Sequence, residues 1–104
     1  MLYVTTETIT GKKFEELGIA MGNTIQSVHV GKDIMNSFKT LVGGELTSYN
    51  EMMTTAREIA VKRMLEDASR MGADAVVAMR FVTNSIAAGA AEILAFGTAV
   101  KFID

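Results

Sequence analysis

The sequence predicts one domain of the α+β class, in which a long strand and two helices precede a closing pair of strands. Three observations carry that reading. Residues 48–71 hold apolar side chains at helical spacing, between a capping signal and a glycine stop. Residues 14–28 and 91–103 alternate large and small side chains with period two. The 104 residues are 49% hydrophobic and 21% charged, which suits one core over residues 1–104 and leaves little room for a second.

The elements follow in order. Residues 2–5 form a short strand, and Gly11-Lys12-Lys13 reads as a turn. In the first long strand, residues 14–28, Leu17, Ile19, Met21 and Ile25 point one way, while Gly18, Ala20 and Gly22 point the other. Residues 31–42 read as a short helix through Ile34, Met35, Phe38, Leu41 and Val42, ended by Gly43-Gly44. In the main helix, Ser48-Tyr49-Asn50-Glu51 matches a capping box, in which hydroxyl and carboxylate satisfy orphan amides reciprocally. Its stripe runs through Tyr49, Met52, Met53, Ala56, Ile59, Ala60, Met64, Ala68 and Met71, with Gly72 as the stop. Residues 75–83 form a strand with Val77, Met79 and Phe81 on one face, and a loop covers 84–89. The last strand, 91–103, sets Leu94, Phe96, Thr98, Val100 and Phe102 against Ala95, Gly97 and Ala99.

The first and last long strands share an asymmetry. Each has one face of large apolar groups and one of glycine and alanine. The large face is expected to pack on the helices. The small face, Gly18, Ala20, Gly22, Ala95, Gly97 and Ala99, is then left for a neighbouring subunit, because small residues let another backbone come close.

Composition excludes several classes of function. With no cysteine, the chain has no disulfide, thiolate metal site or cysteine nucleophile of its own. Net charge is −2, and no stripe of Lys or Arg interleaves with aromatics, so the phosphate neutralisation that nucleic acid requires is missing. A membrane surface is excluded on the same ground. Met1-Leu2-Tyr3-Val4-Thr5 does not begin a secretory signal, and the longest mostly apolar stretch, 86–100, is broken by Glu92 and too short to span a bilayer. A cytoplasmic location is expected.

Five motifs recur in order: Val42-Gly43-Gly44, then Tyr49, then Ala56-Arg57-Glu58-Ile59-Ala60, then Gly72-Ala73-Asp74-Ala75-Val76-Val77, and finally Gly97-Thr98-Ala99-Val100. Together they resemble the YbjQ-like family, which carries a heavy-metal-binding name. The match covers nearly the whole chain and is looser at Gly22-Asn23 and Ser27-Val28-His29-Val30-Gly31. The resemblance implies a two-layer fold like the dodecin subunit: strand, helix and hairpin on a three-stranded antiparallel sheet of order 1-3-2. That order would merge the small faces of the first and last long strands into one patch. The resemblance also implies a ring-like homo-oligomer, a pentamer, and no established enzymatic activity.

The residues themselves offer little metal chemistry. Soft-metal and zinc sites draw on Cys, His, Met and carboxylate, and this chain has no Cys and a single His, His29. Copies of His29 around a ring axis are the one route to a Cu, Ni or Zn site, so no cofactor is expected from the ligand set. The eight methionines lie mostly on apolar stripes, where thioethers fill irregular cores. No nucleophile elbow and no phosphate loop occurs, and the carboxylate pairs Glu15-Glu16 and Glu66-Asp67 are sequence neighbours that diverge in space.

Four polar positions fall on the family pattern. Arg57 offers a planar donor fork, Tyr49 a hydroxyl in the first helical turn, Asp74 a tie for the helix-to-strand turn, and Thr98 a hydroxyl on the last strand. The reading is a non-enzymatic homo-oligomeric module that takes a small ligand or partner at subunit junctions. The alternatives are a metal site shared between subunits and a small enzyme using Arg57 and Tyr49.

Overall fold

A computed structural model describes residues 1–27, 47–87 and 89–104. Strand β1 is Leu2–Tyr3, β2 is Lys13–Ser27, helix α1 is Thr47–Arg70, β3 is Ala75–Ala87 and β4 is Ala90–Ile103. The expected helix at 31–42, His29 and the Gly43-Gly44 stop lie outside the described residues.

The sheet has order β1-β3-β4-β2. Its three long strands are antiparallel and run in the expected order, with the last strand between the first long one and its hairpin partner. The expectation of a purely antiparallel sheet is corrected at one edge. There β1 pairs in parallel with β3, through Leu2 opposite Ala75 and Tyr3 opposite Val76, so the sheet is mixed. The loop expected over 84–89 is also corrected. Asn84, Ser85 and Ala87 remain in the ladder opposite Glu92, Ala91 and Ala90, and the reversal is confined to the residues just before β4. Continued pairing satisfies backbone groups that a longer loop would leave to water.

Helix α1 ends as its sequence dictates. Gly72 has φ +81°, and the N–H groups of Gly72 and Ala73 donate to the carbonyls of Ser69 and Ala68 at 3.0 and 3.1 Å. This is the Schellman closure, which occupies carbonyls the helix end would orphan. Asp74 then ties the turn to β4. Its N–H donates to Val100 O at 2.8 Å, and its carboxylate accepts the Phe102 N–H at 2.8 Å.

The helix lies on the opposite sheet face from the one expected. Ala20, Gly22, Ala95, Gly97 and Ala99 are buried within their own chain; only Gly18 of that set is exposed. The cause is shape. Ala56, Ala60, Met64 and Ala68 recur every four residues and form a mostly low ridge along α1. A low ridge fits a low surface, so the backbones approach closely. A Cβ on Gly22 would run into the Ala60 carbonyl and the backbone of Arg63 and Met64. Gly97 is equally confined, by Val76, Val77 and Met79. The small face therefore holds the core and is closed to a neighbouring subunit. Met64, Ile93 and Val76 are its largest fully buried side chains, each contributing about 1.5–3 kcal/mol of burial.

The far face divides in two. At one end Ala75, Val77 and Val100 pack with Phe14 and Phe102 beneath Val4 and Ile9 of the N-terminal segment. At the other, Ile19, Met21 and Ile25 of β2 stand beside Leu94 and Phe96 of β4 and Val82 of β3, with no described element over them. Ile19 is 63% exposed and Ile25 59%. A polar rung crosses this bare half, where Glu92 accepts from Asn23 at 2.9 Å and from Asn84 at 3.3 Å.

One irregularity decides where the side chains of β3 point. Ala78 and Met79 together oppose Gly97, a bulge in which Ala78 adopts φ 53°. The N–H groups of Ala78 and Met79 donate to Thr6 O and Val4 O at 2.8 and 3.0 Å, which offsets the conformational cost. The extra residue reverses the alternation. Val77 lies on the far face, whereas Met79 and Phe81 lie on the helix side; the expected common face for these three residues is corrected accordingly.

Candidate functional site

Helix α1 packs on β2 and β4 and scarcely touches β3. The helix-side surface of β3 and β1 is left open and becomes the floor of a groove of about 760 Å³. Tyr3 reaches it because it pairs with Val76, a helix-side residue; Phe81 reaches it because of the bulge. Val61 and Leu65 of α1 form the apolar wall, one turn apart on the same helix face. Arg57, Glu58, Lys62 and Glu66 form a charged rim.

The rim charges are not equivalent. Glu58, Lys62 and Glu66 stand at successive four-residue steps, the spacing at which helix charges offset one another. Arg57 stands outside that ladder. Its guanidinium donates to Thr54 Oγ1 at 3.2 Å, and it belongs to neither of the ion pairs among the described residues, Arg70–Asp67 and Lys101–Asp74. A guanidinium beside apolar walls, with most of its fork unengaged, suits a planar anion such as a carboxylate.

The four polar positions picked from the sequence do not converge. Arg57 lines the groove. Thr98 lies on the opposite sheet face, between Ile19 and Val77. Asp74 is committed to the turn, with Lys101 Nζ 3.8 Å away. Tyr49 has its backbone in the first turn of α1, and its side chain lies outside the description. Sequence reasoning missed Tyr3, Phe81, Val61 and Leu65. The two helical residues were findable from their spacing to Arg57. Phe81 was not, because nothing in the alternation announces the bulge.

The comparisons with known proteins agree on kinship. A family model described as "Putative heavy-metal-binding" matches residues 1–103. A UPF0145 protein of Vibrio campbellii is 57% identical over 104 residues, covering 99% of this chain and all of the relative. One from Methanosarcina acetivorans is 57% identical over 105 residues, all of this chain and 99% of the relative. One from Clostridioides difficile is 59% identical, with 100% and 94% covered. Among solved structures, a DUF74-family protein of unknown function from Pediococcus pentosaceus superposes with a TM-score of 0.66 over 99% of this chain and 98% of that one. At 9% identity it speaks for the fold alone. The chain belongs to the YbjQ family, whose curated members here carry the UPF0145 name.

The heavy-metal description does not fit the described residues. The sequence has no cysteine, and the described residues contain no group of three or more His, Cys, Asp or Glu that could hold an ion. Glu92, the carboxylate set most deeply into a sheet face, is engaged by two amides, which donate rather than ligate. Among the described residues no helix is long and apolar enough to cross a membrane.

Proposed function

We propose that the protein is a non-enzymatic, homo-oligomeric binding module of the cytoplasm, which takes a small anionic ligand with an apolar body in the groove beside α1. The observation that carries this is Arg57, a guanidinium in no ion pair among the described residues, on the rim of an apolar groove. The apolar body would rest on Tyr3, Phe81, Val61 and Leu65, and the anion would meet the guanidinium fork.

Self-association is supported by the bare half of the far face. Ile19, Met21, Leu94, Phe96 and Val82, with Ile25 beyond the polar rung of Asn23, Glu92 and Asn84, give this half a largely apolar surface, of the kind that marks an interaction site. The family resemblance implies a dodecin-subunit-like arrangement of strand, helix and hairpin; on that resemblance a closed ring is the proposed assembly, with five subunits as its size. The N-terminal segment occupies the outer edge of β3 as far as Met79, and no described strand pairs with that edge beyond it, so a neighbour set there would close the groove and make it a junction site.

Native mass spectrometry of the full chain tests both halves. The expected result is a closed oligomer that retains non-protein mass, with the mass lost and the oligomer kept in Arg57→Ala. A monomer overturns the assembly. An oligomer whose bound mass is indifferent to Arg57→Ala overturns the groove.

A further inference from the structure

Among the described residues, β2 is the outer strand of the sheet, with β4 as its one partner. An outer strand presents a row of free N–H and C=O groups to which another chain can add. In β2 that row includes Met21 and Asn23, two residues apart and so facing the same way along the edge. Both are occupied by α1. The Met21 N–H donates to Asp67 Oδ2 at 2.9 Å, and Arg63 Nη1 donates to the Asn23 carbonyl at 2.7 Å. One donor and one acceptor of the ladder are thus matched by an acceptor and a donor of the helix. Arg70 Nη2, 3.1 Å from Asp67 Oδ1, holds that carboxylate from its other oxygen.

Gly22, between the two latched residues, makes this reach possible. Its missing Cβ lets the helix backbone at Ala60, Arg63 and Met64 rest on β2. Residues one turn further round the helix can then extend over the strand to its rim. Shifted outward by the width of a side chain, neither Asp67 nor Arg63 would span the gap.

We infer that Asp67 and Arg63 form an edge latch, which blocks addition of a second copy of this chain along β2 and so confines self-association to other surfaces. The inference goes beyond the proposed ring and does not depend on the groove or its ligand. It concerns how copies are prevented from meeting.

The test is sedimentation velocity of the full-length chain over a range of concentrations. The Arg63→Ala/Asp67→Ala pair is expected to form assemblies larger than those of the wild type, growing with concentration. Asp67→Asn, which keeps a carbonyl oxygen for the Met21 N–H, is expected to behave as wild type. Adding Asn23→Pro to the pair removes an edge N–H and is expected to restore the wild-type size, because proline is tolerated at an outer edge but not in a new central position. Wild-type size in the pair, or growth that survives Asn23→Pro, overturns the inference. Should the pair fail to fold, hydrogen exchange decides. Met21 N–H exchange about tenfold faster in Asp67→Ala than in Asp67→Asn supports the latch, and equal rates overturn it.

Discussion

The two faces of the sheet are built from the same four strands and have opposite fates. The face with the smaller side chains is the covered one, buried under α1 through Ala20, Gly22, Ala95 and Ala99. Among the described residues, the face with Ile19, Met21, Ile25 and Phe96 is covered at one end only, by the N-terminal segment. Side-chain bulk therefore does not decide which side of a sheet becomes the core. Complementarity does: a helix whose facing ridge is Ala56, Ala60, Met64 and Ala68 gains more van der Waals contact from a flat surface than from one studded with isoleucine.

The sharpest way to break this comparison is to give the small face bulk. Gly22→Val would push the helix backbone off β2, and the expected loss is about 3 kcal/mol or more of stability by chemical denaturation. Gly97 is confined in the same way, by β3 instead of the helix, so a bulky residue there would fail inside the protomer before it could report on any interface.

A smaller effect comes from the bulge that separates the phases of β3. Ala78→Val places a β-branched residue at φ 53° and is expected to cost about 2 kcal/mol, read from the thermal midpoint. Ala78→Gly relieves the same strain and is expected to stay near wild type. If both variants unfold together, the conformation at 78 is not what limits them.

The open face is expected to respond least in stability and most in assembly. Ile19→Ser with Ile25→Ser removes apolar groups that are mostly in water already. Stability of the isolated protomer should stay within about 0.5 kcal/mol, while the proposed oligomer, followed by light scattering, is expected to dissociate. A large stability loss without a change in oligomer would show that these residues serve the protomer instead.

Much of the fold was legible from residue spacing. The main helix and its Gly72 stop, both long strands and the hairpin strands fall close to where periodicity set them, and the strand order agrees with the one implied by family resemblance. The main helix begins at Thr47, one residue ahead of the expected cap. Which face the helix would choose was misread, because alternation sorts residues into two sets without saying which set meets the helix. The deciding clue was present in Ala56, Ala60 and Ala68, whose spacing makes a low ridge. Of the candidate site, Arg57 was visible as a fork-shaped cation off the apolar stripe. Tyr3 and Phe81 were not, since the first depends on a parallel edge pairing and the second on a one-residue bulge, neither of which leaves a periodic trace.

The bulge at Ala78 acts on β3 as a shift of reading frame acts on a message. Every side chain beyond it is assigned to a face by the count of residues that precede it, not by its own preference. A single deletion between Val77 and Arg80 would reassign Phe81, Val82 and all that follow, exchanging the groove floor with the bare face while the strand itself could still form. Chain length in this exposed hairpin is thereby constrained as tightly as residue identity in the core.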